Sequence, residues 1–188
     1  MDRRWFEVEL TAVHPGPSID LDTLNTLGVD AFTALLRGIF EHSSWVARAA
    51  YTARPFASVP ALHATMVSVV ANSGAERQLA LLRAHPELAR TGALTDASSA
   101  EQGSMGLDRL AADEAAAFDQ LNTAYRTRFG FPFIIAVRGQ RDRAAILAAL
   151  SARIQHSADL ELAAALAEVS KIARFRLDDL IVPAGDGS

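Results

Sequence analysis

Apolar residues recur every three or four positions along nearly the whole chain, and no segment alternates with the period of two that a half-buried strand needs. That periodicity restricts the fold to helices packed on helices. Phe32, Leu35, Leu36, Ile39 and Phe40 form one such stripe, for which Asp30 is the expected N-cap. A second helical piece runs from Trp45 to about Tyr51 and stops before Arg54-Pro55-Phe56. Ser58 is placed to cap a third, with Pro60 in its first turn, Leu62, Met66, Val69 and Val70 on one face and Gly74 at its end. Ala75 to Ala84 makes a fourth, halted at His85-Pro86 because the residue before proline is pushed out of the helical region. Ser98 opens a fifth and Asp113 a sixth, the latter running through Phe118, Leu121, Asn122 and Tyr125 to Gly130. Asp142 caps a seventh carrying Ile146, Leu147, Leu150 and Ile154, and the last runs from about Asp159 to Leu180.

The one strand-like stretch, Phe131 to Val137, lacks both alternation and a pairing partner, so it is expected to be a buried extended or short helical connector. Alanine makes up about a fifth of the chain, which favours helix and close helix–helix approach. The expectation is an all-α single domain of about seven to nine helices over residues 19–182. An irregular lead (1–18), broken by His14-Pro15-Gly16-Pro17, precedes it, and a flexible Pro/Gly-rich tail (183–188) follows.

Composition removes whole classes of chemistry. Without cysteine there is no disulfide framework, thiolate metal site or thiol nucleophile. Of 18 basic residues Lys171 is the single lysine, and it sits where it is most simply solvated. A formal charge of -4 argues against broad contact with nucleic acid or anionic membrane. No apolar run approaches the ~20 residues of a membrane helix. Arg3-Arg4-Trp5-Phe6 resembles a twin-arginine export signal, but Glu7 and Glu9 interrupt what should be its apolar region, so a cytoplasmic location is expected. The five histidines share no metal-ligand spacing, and no metal is expected. Glycine-rich phosphate loops and a GxSxG elbow are absent from the sequence.

Three features stand out against that background. In the last helix the apolar series Leu162, Leu166, Val169, Ala173 continues to Arg176 and then Leu180, so Arg176 lies on the buried stripe. It either pairs with a buried carboxylate or aims its planar fork into a pocket to hold an anion. His85, at a helix junction, is either an ordinary partner of the helix dipole or an imidazole presented to a cleft. Ser98-Ser99-Ala100-Glu101-Gln102 has the spacing of a capping box, and a helix N-terminus also offers N–H groups to a ligand. His14, His42, His63 and His156 have weaker claims; the last two stand in helical surface contexts.

Taken in order, Phe40-Glu41-His42-Ser43-Ser44-Trp45-Val46-Ala47, Arg54-Pro55-Phe56, Gln78 and His85-Pro86-Glu87-Leu88-Ala89 form a series. It continues with Ser98-x-x-Glu101-Gln102, Leu121-Asn122-x-x-Tyr125-x-x-Arg128-Phe129-Gly130-Phe131-Pro132-Phe133, and Glu168-Val169-x-Lys171-Ile172-Ala173-x-x-Arg176-Leu177. The series resembles the 2-oxo-4-hydroxy-4-carboxy-5-ureidoimidazoline (OHCU) decarboxylase family, from about Leu21 to Leu180. Ser44 stands where many members have proline, in a loop read as structural.

The resemblance implies an all-α homodimer that converts OHCU to (S)-allantoin, the last step of urate degradation, without metal or organic cofactor. It implies a catalytic set of His85, Glu101 and Arg176, and substrate contacts from Pro86, Ser98, Glu101 and Gln102. The segment Phe133, Ile134, Ile135, Ala136 and Val137 is then expected to line the ureido end. The C-terminal Gly185-Asp186-Gly187-Ser188 lacks the peroxisomal tripeptide that eukaryotic members often carry. The alternative is a non-catalytic helical module binding a ureide metabolite or a partner protein.

Overall fold

The computed structural model describes residues 18–89 and 96–182. Nine helices are present among the described residues. Helix α1 (Leu21–Thr26) is capped by Asp20, whose carboxylate accepts from the Thr23 amide at 2.8 Å. Helices α2 (Val29–Leu35) and α3 (Ser44–Ala50) follow, and a 3-10 turn over Tyr51–Ala53 leads to α4 (Val59–Ala71). Gly74, with φ 83, turns the chain into α5 (Ala75–Arg83). Next come α6 (Asp96–Ser104) and α7 (Ala112–Phe129), the latter closed by Gly130 in the left-handed region with φ 75. Asp142 caps α8 (Arg143–Arg153) by accepting from Ala145 N at 2.8 Å, and Ser157 caps α9 (Ala158–Leu180). The expected all-α class and helix number therefore hold. The irregular lead, apart from Ser18, and the tail lie outside the described residues.

Ser58 caps α4 as expected, its hydroxyl accepting from Ala61 N at 3.2 Å. Ser58→Ala removes that acceptor and is expected to cost about 1 kcal/mol. A thermal melt should then show Tm lower by roughly 2–4 °C.

Two start signals are corrected. Asp30 does not cap α2: Gly28 precedes the helix, and Asp30 sits in its first turn, paired with Arg48 at 3.2 Å. Ser98 does not cap α6, which begins two residues earlier, at Asp96. The Phe32–Phe40 stripe also outlasts its helix, since Leu36, Ile39 and Phe40 stay buried in the turns after Leu35. One element had no signal in the sequence: β1 (Ile19–Asp20) pairs in parallel with β2 (Ile181–Val182), tying the start of the described chain to the end of α9.

Helix α9 packs against α4 and α5, and Ala165, Val169, Ile172, Ala173 and Leu177 are buried along it. Its buried face is centred one position away from the predicted stripe, leaving Leu162, Leu166 and Leu180 half-buried while Arg176 remains inside. Phe131 to Val137 crosses the core as an extended connector, buried throughout as expected, and ends in a 3-10 turn over Val137–Gly139. Because an extended segment cannot satisfy its own backbone, side chains must do so. Glu168 accepts from Ala136 N at 2.8 Å, and Arg153 donates to Ile134 O at 2.8 Å while lying 4.6 Å from the Phe133 ring centre.

The histidines expected on helical surfaces are instead tied in. His63 Nε2 lies 2.8 Å from Ser170 O, linking α4 to α9, and His156 Nδ1 lies 2.8 Å from the fully buried Glu161.

Candidate active site

His85 follows the last turn of α5, and its ring is buried. Nδ1 lies 2.9 Å from the carbonyl oxygen of Leu81. A carbonyl can only accept, so Nδ1 carries the hydrogen and Nε2 is the nitrogen left for chemistry. Burial is the largest influence on this imidazole and lowers its pKa; Leu81 and Glu41 pull the other way without reversing it, and Arg176 and His42 add to the lowering. The resting ring is therefore neutral near pH 7, with a lone pair on Nε2.

The backbone after His85 is clamped from two helices. Gln102 on α6 accepts from Ala89 N at 3.0 Å and donates to Glu87 O at 3.4 Å. Asn122 on α7 donates to Leu88 O at 2.9 Å, and Arg126 holds the Glu87 carboxylate at 2.8 Å. These bonds fix a loop whose Ala89 has a positive φ of 59, an uncommon conformation for alanine.

Arg176 projects from α9 into a group of acceptors. Its Nε and Nη2 pair with the two oxygens of Glu101 at 2.8 and 2.9 Å, the bidentate fork that guanidinium geometry favours. Nη1 donates to Glu41 at 2.6 Å and to Gly38 O at 2.9 Å, and Nη2 also donates to Ser98 Oγ at 3.2 Å. Those contacts engage all five N–H donors of a guanidinium. Burial works against the charge, but Glu101 and Glu41 outweigh it and hold the Arg176 pKa above its ordinary value. Ser98, having accepted from Arg176, directs its own hydroxyl proton to Glu41, at 3.1 and 3.2 Å from the two carboxylate oxygens.

The capping-box geometry expected of Ser98 and Glu101 is thus replaced: both side chains face Arg176. Arg176 is thus paired with the buried Glu41 and the partly exposed Glu101, and its donors are engaged by the protein.

His85, Pro86, Ser98, Glu101, Gln102, Phe133, Ile134, Ile135, Val137 and Arg176, all expected site residues, line one solvent-open cleft. Ala136 does not line it; its amide is bound to Glu168 instead. Leu88 and Ile172 also line the cleft and were not anticipated, although Ile172 stands one helical turn before Arg176. Glu41, buried between α2 and α3 beneath Arg176, was missed as well. Its signals were an acid at the end of an apolar stripe and a place in the Phe40-Glu41-His42 motif, neither of which assigned it a role. The cleft has a polar end, formed by His85, Glu101, Gln102 and Ser98, and an apolar wall of Leu88, Phe133, Ile134, Ile135, Val137 and Ile172. Among the described residues no group of three or more histidine and acidic side chains is arranged to hold a metal ion.

Comparison with known proteins bears on this cleft. The sequence model of a family described as OHCU decarboxylase matches residues 25–178. A Haloferax volcanii protein named 2-oxo-4-hydroxy-4-carboxy-5-ureidoimidazoline decarboxylase is 45% identical over 159 residues, covering 85% of this chain and 94% of that protein. A crystal structure of (S)-allantoin synthase superposes with a TM-score of 0.72 at 34% identity, covering 87% of this chain and 54% of that one. A crystal structure of OHCU decarboxylase in the presence of (S)-allantoin gives a TM-score of 0.64 at 26% identity, covering 78% of this chain and 96% of the other.

Proposed function

Since the chain belongs to the OHCU decarboxylase family, we propose that its His85 cleft removes CO2 from OHCU to leave (S)-allantoin, the last step of urate degradation. The observation that carries the assignment of residues is the imidazole of His85, fixed through Nδ1 on Leu81 and bordering the same cleft as Glu101.

The substrate carries a hydroxyl and a carboxylate on one ring carbon, beside a C=N bond. When CO2 leaves, its bonding pair moves into a C=C bond and the former C=N takes up a proton from water at nitrogen. The resulting enol then loses its hydroxyl proton and gains one at the neighbouring carbon, which sets the stereocentre. The electron sink belongs to the substrate, so the protein's share is orientation and proton transfer. Glu101, held flat by the Arg176 fork, accepts the hydroxyl's hydrogen bond while CO2 leaves, after which the hydroxyl turns toward His85. His85, neutral at rest, takes the hydroxyl proton on Nε2 and, once protonated, becomes the acid that delivers it to one face of the enol. Arg176 acts through Glu101, as a positioning residue. Ser98, whose hydroxyl is committed to Glu41, contributes through its backbone. Gln102 and the connector 133–137 shape the ureido end. A homodimer in the cytoplasm, working without metal or organic cofactor, completes this reading and rests on the family resemblance.

The rival is a module that binds a ureide and does no chemistry. Fresh OHCU decays by itself to racemic allantoin, so circular dichroism during the reaction separates the two. The expected result is a signal of single hand growing faster than the spontaneous decay. Decay to a racemate at the spontaneous rate overturns the enzymatic reading.

A further inference from the structure

We infer that Glu41, which lies outside the cleft lining, is a positioning residue for the reaction, acting on Glu101 through Arg176. The inference rests on the function proposed above and deepens it. Arg176 has no donor left for a substrate: Nε and one Nη2 hydrogen go to Glu101, the other Nη2 hydrogen to Ser98, and the two of Nη1 to Glu41 and Gly38. Its effect on the reaction must therefore pass through the groups it holds. Glu101 is one of them, with a side chain about 24% exposed at the cleft, whereas Glu41 on the opposite flank is 1% exposed.

The two carboxylates are not equivalent. Glu101 sits on α6, and its bond to Arg176 is what aims it. Glu41 sits in the turn between α2 and α3 and fixes the guanidinium from behind, at 2.6 Å, while taking the Ser98 hydroxyl of α6. A single buried acid thus joins the α2–α3 turn to α9 and to the start of α6. It also divides the attraction of Arg176 between two anions, which leaves Glu101 less tightly drawn back from the cleft than it is in an isolated pair.

Glu41 acts on His85 as well. The charged and titratable groups that bear on that imidazole are Glu41, which favours its protonated form, and Arg176 and the exposed His42, which oppose it. Glu101 lines the same cleft, and beyond it lies Arg138 of the turn at 137–139, itself paired with Asp179.

The test is Glu41→Gln and Glu41→Asp in the full chain, with kcat, KM, the pH profile of kcat/KM and the thermal melt measured beside the parent protein. Glu41→Gln keeps the size and removes the charge. It is expected to lower kcat about tenfold or more with KM changed less than about threefold, the pattern of a lost transition-state contribution. Its acid limb should move to lower pH, because the anion that favours protonated His85 is gone. Glu41→Asp keeps the charge and so should keep the limb, while the shorter reach lowers kcat. If Glu41→Gln does not fold, Glu41→Asp decides alone, and wild-type kcat in that variant overturns the inference. So does Glu41→Gln with the parent's kcat and limb, or a lower Tm in both variants with an unmoved limb, which marks a structural role only. If the parent protein itself does not accelerate the formation of (S)-allantoin, it is the function that fails, and the two failures are distinguished in one assay.

Discussion

His85→Asn reduces turnover of OHCU to the spontaneous rate, and the allantoin that forms is racemic. Asparagine can still donate toward the Leu81 carbonyl, so the local bond that orients the residue is partly reproduced. What it cannot do is accept a proton and return it. General acid–base catalysis by a placed side chain contributes about 10²–10⁴-fold, and here the same group also chooses the face on which the new C–H bond forms. Rate and handedness should therefore be lost together, and the dichroism trace reads both. Full activity in this variant overturns the assignment of His85.

The pH behaviour of the parent protein follows from the same group. Burial lowers the His85 pKa, so the active neutral form persists at neutral pH and activity falls only below the ordinary histidine range, around 6.5. Stability follows with the same sign. Below about 6.5 the unfolded chain takes up a proton that the folded ring resists, so the folded state loses stability as pH falls through that window. His85→Asn should flatten that part of the stability profile while removing activity at every pH.

How far such a site can be read in advance depends on the range of the interactions that build it. Arg176 was legible because burial on a helix is periodic: a charge on the apolar stripe is visible within one helix. Its partners were not, because Glu41 and Glu101 stand 135 and 75 residues away and nothing local encodes that meeting. Ser98 and Glu101 show the opposite hazard. Their spacing is a local capping signal, and the tertiary pull of Arg176 overrides it once the helix starts at Asp96. The connector 131–137 was legible as buried because it is apolar throughout. Its orientation was not, since the polar groups that settle it, Glu168 and Arg153, lie on other helices. Ala136 faces Glu168 rather than the cleft for that reason. The parallel pairing of β1 with β2 involves two residues on each side, too few to leave a pattern.

Glu161→Ala is expected to destabilise the fold more than any other single change to these polar groups. Glu161 is fully buried at the start of α9 and accepts from the Tyr125 hydroxyl on α7, from Arg153 Nε at 2.9 Å and Nη2 on α8, and from His156 at 2.8 Å. Burial, reinforced by the bond to Glu161, pushes the Tyr125 pKa far above its ordinary value, so the phenol stays a donor. Removing the carboxylate leaves the guanidinium of Arg153, only 11% exposed, without its counter-ion, and leaves the buried Tyr125 hydroxyl without its acceptor. Breaking a buried ion pair from one side costs about 3–5 kcal/mol. At this chain length that is a Tm lower by roughly 6–20 °C. Tyr125→Phe removes one donor and leaves the ion pair whole, so it should cost only about 1–2 kcal/mol. The order of the two melts is what discriminates: a Glu161→Ala protein as stable as Tyr125→Phe would mean that Arg153 finds water or another acceptor. The consequence for the cleft follows from Arg153 alone, since the guanidinium that pairs with Glu161 also carries the Ile134 carbonyl and lies on the Phe133 ring. In the folded fraction of Glu161→Ala, KM should therefore rise while the handedness of the product, set at His85, is retained.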